Sequence, residues 1–283
     1  TVYGYRGELA QALEFQQESL AAYVRLGDVL GEANVHNNIG RTERRRSRHV
    51  PALEAYERAL SIRRRIGDQL GRVHSHGNIA EIHFLRGELA DAELHYKAAL
   101  ELASSIGYAF GASASLVGLG ATNVARGEVG TGVAQLRSAI TDFERAGQRT
   151  YMVEALRDLT DAYIAMGSSL ATAAADRGLA IARELALPEL VAIALQASGG
   201  ARLADRDVLG AVVALEEARA LLEKGDDRHE LGRTLSLLAR AYARLPVTDE
   251  RSRAARELRE RARSLFVELG ATLDLRRLES FAV

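Results

Sequence analysis

The sequence predicts an all-α solenoid of antiparallel helix pairs, and three observations carry that expectation. Glycines recur with a period of forty: Gly7, Gly87, Gly127 and Gly167 share one register, and Gly27, Gly67, Gly107 and Gly147 share another, half a period away. A register held this long is the mark of stacked units that bury their apolar faces against their neighbours. Between these glycines the apolar residues follow a helical spacing, and the chain's 3 prolines avoid the helical interiors. The expected organisation is one array over residues 1–283, of about six and a half units.

Taken in order, Thr1 to Arg6 align with the last turn of a first helix, so the chain is expected to begin inside a truncated repeat whose second helix follows Gly7. Gly27-Asp28, Gly67-Asp68 and Gly107-Tyr108 each precede about seventeen residues of helical periodicity, which end at Ser47, Gly87 and Gly127, where a second helix starts. Glycine suits such an end because the residue after the last turn commonly takes a left-handed conformation. Pro51 lies in a first turn, Pro188 opens a helix and Pro246 sits in a turn. The pattern then drifts, through Thr172, Asp176 and Leu179 and through Ala211, Leu215 and Ala218. The final pair, near 228 to 269, contains a longer turn at Leu245-Pro246-Val247-Thr248-Asp249. Leu273 to Phe281 reads as a short closing helix within a C-terminal cap at 271–283.

Small residues indicate how the helices meet. Ile39-Gly40 followed by Ala52, Tyr56 and Ala59 recurs as Ile79-Ala80 with Ala92, Tyr96 and Ala99, then as Leu119-Gly120 with Gly132, Leu136 and Ala139. Small side chains let backbones approach while tyrosine or leucine fills the space between. On these residues the chain resembles the tetratricopeptide repeat family, whose first helix carries a large residue, Leu-Gly and Tyr, and whose second carries Ala and Phe at helical spacing. His36 and His76 stand where the family often has tryptophan. Glu43 and His83 replace its tyrosine, which Tyr3 and Tyr163 retain. The forty-residue unit resembles the long repeats of kinesin light chains and Gα-regulator scaffolds, and the C-terminal arrays of actinomycete antibiotic regulatory proteins. The resemblance implies a right-handed superhelix with the first helices lining a concave groove.

Composition narrows the function classes. Net charge is −1, so no global field favours nucleic acid or an anionic membrane. One basic window stands out: ten arginines between Arg41 and Arg72 face Glu43, Glu54, Glu57 and Asp68. Lysine occurs only as Lys97 and Lys224, and tryptophan is absent, which leaves little of the aromatic-basic interleaving that stacks on single strands. Cysteine is absent, excluding disulfides and thiolate metal sites, and neither a membrane span nor a signal peptide is read in the sequence; the cytoplasm is the expected compartment. Nothing matches a phosphate loop, a zinc-protease helix or a nucleophile elbow, and Gly118-Leu119-Gly120 lies inside a helical pattern without the strand that a dinucleotide loop needs. The expectation is a protein without catalysis and without cofactor.

The resemblance places the groove residues. They are Asn34, Asn37, Asn38, Arg41, Arg44 and Arg45 in one unit, His74, Asn78, Glu81 and Phe84 in the next, and Glu154, Arg157, Asp158 and Asp161 further along. Arg233, Ser236 and Arg240 come last. Asn38 and Asn78, forty apart, resemble an asparagine ladder that grips a peptide backbone, since one amide both donates and accepts; they serve equally well to satisfy neighbouring backbone or water. Arg41, Arg44, Arg45 and Arg48 follow a spacing that puts four guanidinium groups on one helix face, for carboxylates or phosphates or as a solvated helix end. A carboxylate clamp like that of chaperone-binding repeats extends to Asn37, Arg41 and Asn78 only, because Ala114 and Gly118 replace its basic residues. A second reading uses Ala114, Val117, Gly118, Ala121 and Val124 with Ala194, Ala197, Ser198 and Ala201 as the floor of an apolar effector pocket. His74, His76 and His83 are spaced for an imidazole site between helices, although His76 and His83 occupy packing positions. The expected function is a protein- or peptide-binding module, the sensor of a larger bacterial transcriptional regulator. Its partner would be a peptide segment, with the upstream domains of the same polypeptide among the candidates. A membrane is not expected, nor is nucleic acid through this region; homo-oligomers through the array ends stay open.

Overall fold

The computed structural model describes residues 2–225 and 227–281, with side chains from residue 9 onward. Among the described residues every regular element is an α-helix, and the chain divides into two compact units, 1–118 and 119–283.

The first unit holds α1 (Val2–Leu26), α2 (Val29–Arg45), α3 (His49–Ile66), α4 (Gln69–Leu85), α5 (Leu89–Ser105) and the greater part of α6 (Ala109–Ala125). The helices from α2 to α6 match the expected boundaries, and one local device explains most of them. At Gly67, with φ of 73°, the chain turns left-handed, a conformation glycine reaches without steric cost, and the Asp68 amide donates back to the Arg63 carbonyl at 2.9 Å. Asp68 then caps α4: its Oδ1 accepts from the Gly71 amide at 2.8 Å, worth about 1 kcal/mol. Asp28 does the same for α2 through Gly31. The equivalent turn after α2 is made by Ser47 at φ 62°, with no glycine at all.

Two expectations about this unit fail. The helix α1 runs unbroken through Gly7, so no turn forms there, and Tyr3 lies outside the residues with described side chains. An internal glycine costs such a helix about 1 kcal/mol. Likewise Arg48 does not share a helix face with Arg41, Arg44 and Arg45. The helix α2 ends at Arg45, the chain turns at Ser47, and Arg48 stands at the start of α3, where its Nη1 lies 3.4 Å from the buried Glu43 carboxylate.

The second unit begins within α6 and continues with α7 (Val129–Arg145), α8 (Arg149–Ala165), α9 (Leu170–Leu185), α10 (Pro188–Ala204), α11 (Val208–Leu222), α12 (Arg228–Ala243), α13 (Asp249–Leu269) and α14 (Thr272–Glu279). Pro188 occupies the first position of α10, the long turn precedes α13, and α14 closes against a cluster built on Leu235, Leu238, Ala262, Phe266 and Leu278. The most enclosed helix is α10, which packs on α8, α9, α11 and α12 and buries every residue from Ala194 to Ala201.

Within both units helix pairs meet glycine against a large side chain. A Cβ on Gly120 would lie 2.6 Å from Leu136, and one on Gly199 would lie 2.4 Å from Leu215. Both leucines are fully buried, which contributes roughly 2 kcal/mol each, and the missing Cβ is what lets them in.

Candidate functional site

In the first unit α2 and α4 are joined by polar side chains on adjacent turns. Asn78 Nδ2 donates to Asn37 Oδ1 at 3.0 Å, and Arg44 Nη1 donates to Glu81 Oε1 at 2.5 Å. The amide pair therefore uses Asn37, while Asn38 is exposed beside it and Arg41 is exposed one turn on. Arg63, buried on α3, fixes the start of this face: its guanidinium donates to the Gly71 carbonyl, Ser75 Oγ and Asn34 Oδ1, each at 2.9 Å. Burial of the guanidinium lowers its pKa, and Asp68, with an oxygen 3.5 Å from Nε, opposes that. A Cβ at Gly71 would meet this guanidinium at 2.5 Å, so the glycine makes room for it.

Between α4 and α6 lies an open cleft of about 230 Å³. His74, Asn78 and Glu81 form its α4 wall, and Tyr108, Phe110 and Ala114 form the opposite one. The His74 and Tyr108 rings meet edge to face, with centroids 5.7 Å apart. Gly77 leaves bare backbone on its floor, and nothing lies within 4 Å of where a Cβ on it would be. Tyr96 contributes from α5, its ring lying against Gly118 at 2.2 Å from an added Cβ. The site thus offers an amide pair, a carboxylate already neutralised by Arg44, an aromatic ledge and bare backbone. Chemically it suits a short extended segment carrying one small or apolar side chain.

The other predicted residues lie elsewhere. Arg157, Asp158 and Asp161 belong to the second unit, in a charge network with α12. Arg157 donates to Asp158 at 3.0 Å and to Glu230 at 2.7 Å, and Arg233 donates to Asp161 at 2.8 Å. Burial resists ionisation of Glu230, but Arg157, Arg233 and His229 outweigh it and hold the pKa down to about 2. Burial dominates at Asp158 and raises its pKa. Gln196 on α10 ties the network in by donating to the Glu230 carbonyl and Thr234. These groups are spent on one another.

The residues of the apolar floor disperse. Ala194 and Ala197 are buried inside α10 packing, Val124 lies against Gly132, and Gly118 lies under Tyr96. Val117 and Ala121 are half-buried, and Ala114 lines the open cleft. Arg45 is exposed at the end of α2. Sequence reasoning missed Gly77, Tyr96, Tyr108 and Phe110. One signal was available: Tyr108 stands after its glycine where Asp28 and Asp68 stand after theirs, an aromatic in a capping position.

Comparison with known proteins agrees with this architecture. The family model described as Tetratricopeptide repeat matches residues 1–65 and 52–105. A comparison with curated proteins finds no match. Among solved structures, aspartyl phosphate phosphatase F of Bacillus subtilis aligns with a TM-score of 0.70 at 14% identity, over 98% of this chain and 68% of its own. The Rap conjugation gene regulator of plasmid pLS20, in complex with a Phr peptide, gives 0.69 at 15%, over 98% and 78%. A signal transduction ATPase with numerous domains and a tetratricopeptide repeat sensor, from Pyrococcus horikoshii, gives 0.64 at 13%, over 94% of this chain and 42% of that one. At these identities the likeness is one of fold.

Proposed function

We propose that this chain, a member of the tetratricopeptide repeat family, is a binding module that takes a peptide or protein segment into the cleft between α4 and α6. The observation that carries the reading is the cleft itself, where a polar wall, an aromatic wall and the bare backbone of Gly77 converge. Its size decides between ligands. At about 230 Å³ it falls below the roughly 300–1,000 Å³ of pockets that enclose a small molecule, but it accommodates one anchoring side chain of a longer segment. Of its polar groups, the Ser115 hydroxyl donates to the Gly111 carbonyl and Glu81 is paired with Arg44, which supports binding rather than catalysis.

The module then serves as the sensor of a larger regulator. Support comes from two structural neighbours, one a regulator solved with a peptide and the other a multidomain ATPase with a sensor of this repeat type. A signal would then require the segment to bind one state of the parent better than another.

The test is a fluorescence titration of peptides and candidate partner domains against the wild type and two variants. Gly77→Leu fills the cleft at a position with no neighbour to displace, and Asn37→Ala with Asn78→Ala removes the amide pair. Each is expected to weaken binding about tenfold or more while the circular dichroism melt stays cooperative, since loss of one anchor is worth above 1 kcal/mol. Unchanged affinity in both variants would place the site elsewhere. An affinity lost only in a third, control variant, Asn38→Ala with Arg41→Ala, would move it to the exposed end of α2.

A further inference from the structure

Three imidazoles and two carboxylates gather where α4 hands over to α5, away from the cleft. His83 closes the last turn of α4, Glu88 stands at the N-cap of α5, and Asp91 and His95 follow at one-turn spacing on α5. His83 Nδ1 lies 2.7 Å from Glu88 Oε2, and donor atoms of His83, Glu88 and Asp91 all fall within 4.8 Å of one another. The His95 ring is 5.7 Å from that of His83, and its Nδ1 is 3.0 Å from Nδ1 of the buried His76.

We propose that His83, Glu88 and Asp91 bind a divalent transition ion, Zn²⁺ or a close analogue, with His95 as the adjoining donor. The chemistry selects the class. Imidazole nitrogen together with carboxylate oxygen, and no thiolate, suits zinc, cobalt or nickel, whereas calcium and magnesium favour all-oxygen sets. Ligand atoms about 2 Å from a tetrahedral ion are roughly 3.3 Å apart. Reaching that spacing opens the 2.7 Å His83–Glu88 pair slightly and draws in Asp91, which is exposed on the first turn of its helix.

The surrounding charges locate the ion. Arg86 holds the other Glu88 oxygen at 2.8 Å, leaving Oε2 turned to His83. Arg64 and Arg72 act on His76, so a cation is repelled from that end, whereas at His95 Asp91 outweighs Arg64 and the ion is drawn to the carboxylate side with His95 beside it. His76 serves as a positioning residue: its contact through Nδ1 fixes the ring of His95, as outer partners orient metal-bound imidazoles. The ion would pin both helices of one pair across the Gly87 turn, making the first unit's stability respond to metal supply.

The experiment uses the untagged chain after chelator treatment, titrated with ZnCl₂ by calorimetry and with CoCl₂ by visible absorption. Expected are one saturable site, a higher melting temperature with zinc, and ligand-field bands with cobalt. His83→Gln and Asp91→Asn should each weaken zinc binding by at least about tenfold, and His74→Gln, on the cleft wall, should not. Should His83→Gln fail to fold, Asp91→Asn at its exposed position decides. No saturable heat with zinc up to about 100 μM, a concentration covering affinities down to roughly −5.5 kcal/mol, would overturn the proposal. So would equal affinity in the wild type and Asp91→Asn.

Discussion

The ring of Tyr56 occupies the space that a side chain on Gly40 would need: an added Cβ would lie 2.6 Å from two of its ring carbons. In the next repeat the equivalent pair is Ala80 and Tyr96, and there the ring of Tyr96 packs against Gly118 on the following helix. The choice between glycine and alanine at one helical position thus accompanies a different seat for the facing tyrosine, and one of those seats forms part of the proposed binding cleft.

Gly40→Ala is expected to destabilise the first unit by about 1–2 kcal/mol, because overpacking costs roughly 1–3 kcal/mol and the better helix propensity of alanine returns under 1. Chemical denaturation measures it. In a double-mutant cycle with Tyr56→Ala the costs should fall short of additive by more than 0.5 kcal/mol or so; strict additivity would show that the ring is not what the glycine accommodates.

Acid should loosen the two units in different windows. His76, buried and facing His95, Arg64 and Arg72, has its pKa lowered from 6.5 to about 4, so the folded chain resists a proton that the unfolded chain accepts. That contribution is complete above pH 6.5 and is lost as pH falls through 4, on the order of 3 kcal/mol. Glu230 in the second unit, lowered from 4.5 to about 2, contributes fully above 4.5 and loses it toward 2. Melts followed by circular dichroism from pH 7 to pH 3 should show stability declining first through His76 and the other lowered histidines of the first unit, His36, His74 and His95, with His76→Phe partly flattening the upper window. A single decline beginning below pH 4.5 would contradict the assignment.

His229 has the opposite sign. Burial disfavours its charge, but the Asp274 carboxylate 2.8 Å from Nε2, with Glu230 nearby, raises the pKa above 6.5. Its contribution is present below 6.5 and is lost as pH rises through the raised value. His229→Gln should therefore reduce the loss of stability between pH 6 and pH 9, measured in the same melts; an unchanged slope would rule the pair out as its source.

Among the described residues three other than glycine take left-handed backbone: Ser47 at φ 62°, Ala186 at 53° and Arg206 at 67°. Alanine in this region costs about 1–2 kcal/mol, part of which glycine returns through its freer unfolded chain. Ala186→Gly is expected to stabilise by roughly 0.5–1 kcal/mol, and Gly67→Ala to destabilise by at least about 1 kcal/mol. Equal midpoints for both in urea would contradict the backbone argument.

Much of the fold was legible because glycine and aspartate mark turns through local chemistry. Gly67-Asp68 fixes a helix end and the next helix start within two residues, and any reader of the sequence can find it. Gly7 shows where that reading stops. Gly7-Glu8-Leu9-Ala10 repeats Gly87-Glu88-Leu89-Ala90 residue for residue, yet the chain turns only at the second, so the same four residues do not by themselves dictate the turn. The candidate site was legible in part: a period of forty pointed to Asn78 but paired it with Asn38, whereas the contact joins it to Asn37, forty-one residues away. The link between Arg157 and Glu230 spans 73 residues and two repeats, and no local pattern announces it.

The buried guanidinium of Arg63 has a mechanical consequence. It grips three successive helices at once, α2 through Asn34, α3 through its own backbone and α4 through Gly71 and Ser75, whereas Gln16 and Thr42 form a side-chain link from α1 to α2 at 3.0 Å. Under tension on the N-terminus, α1 is expected to peel away first and the unravelling front to stall at Arg63, so that the next three helices yield together. In an optical-trap record this would be a small early extension followed by one larger rip, and a series of equal helix-pair steps would contradict it.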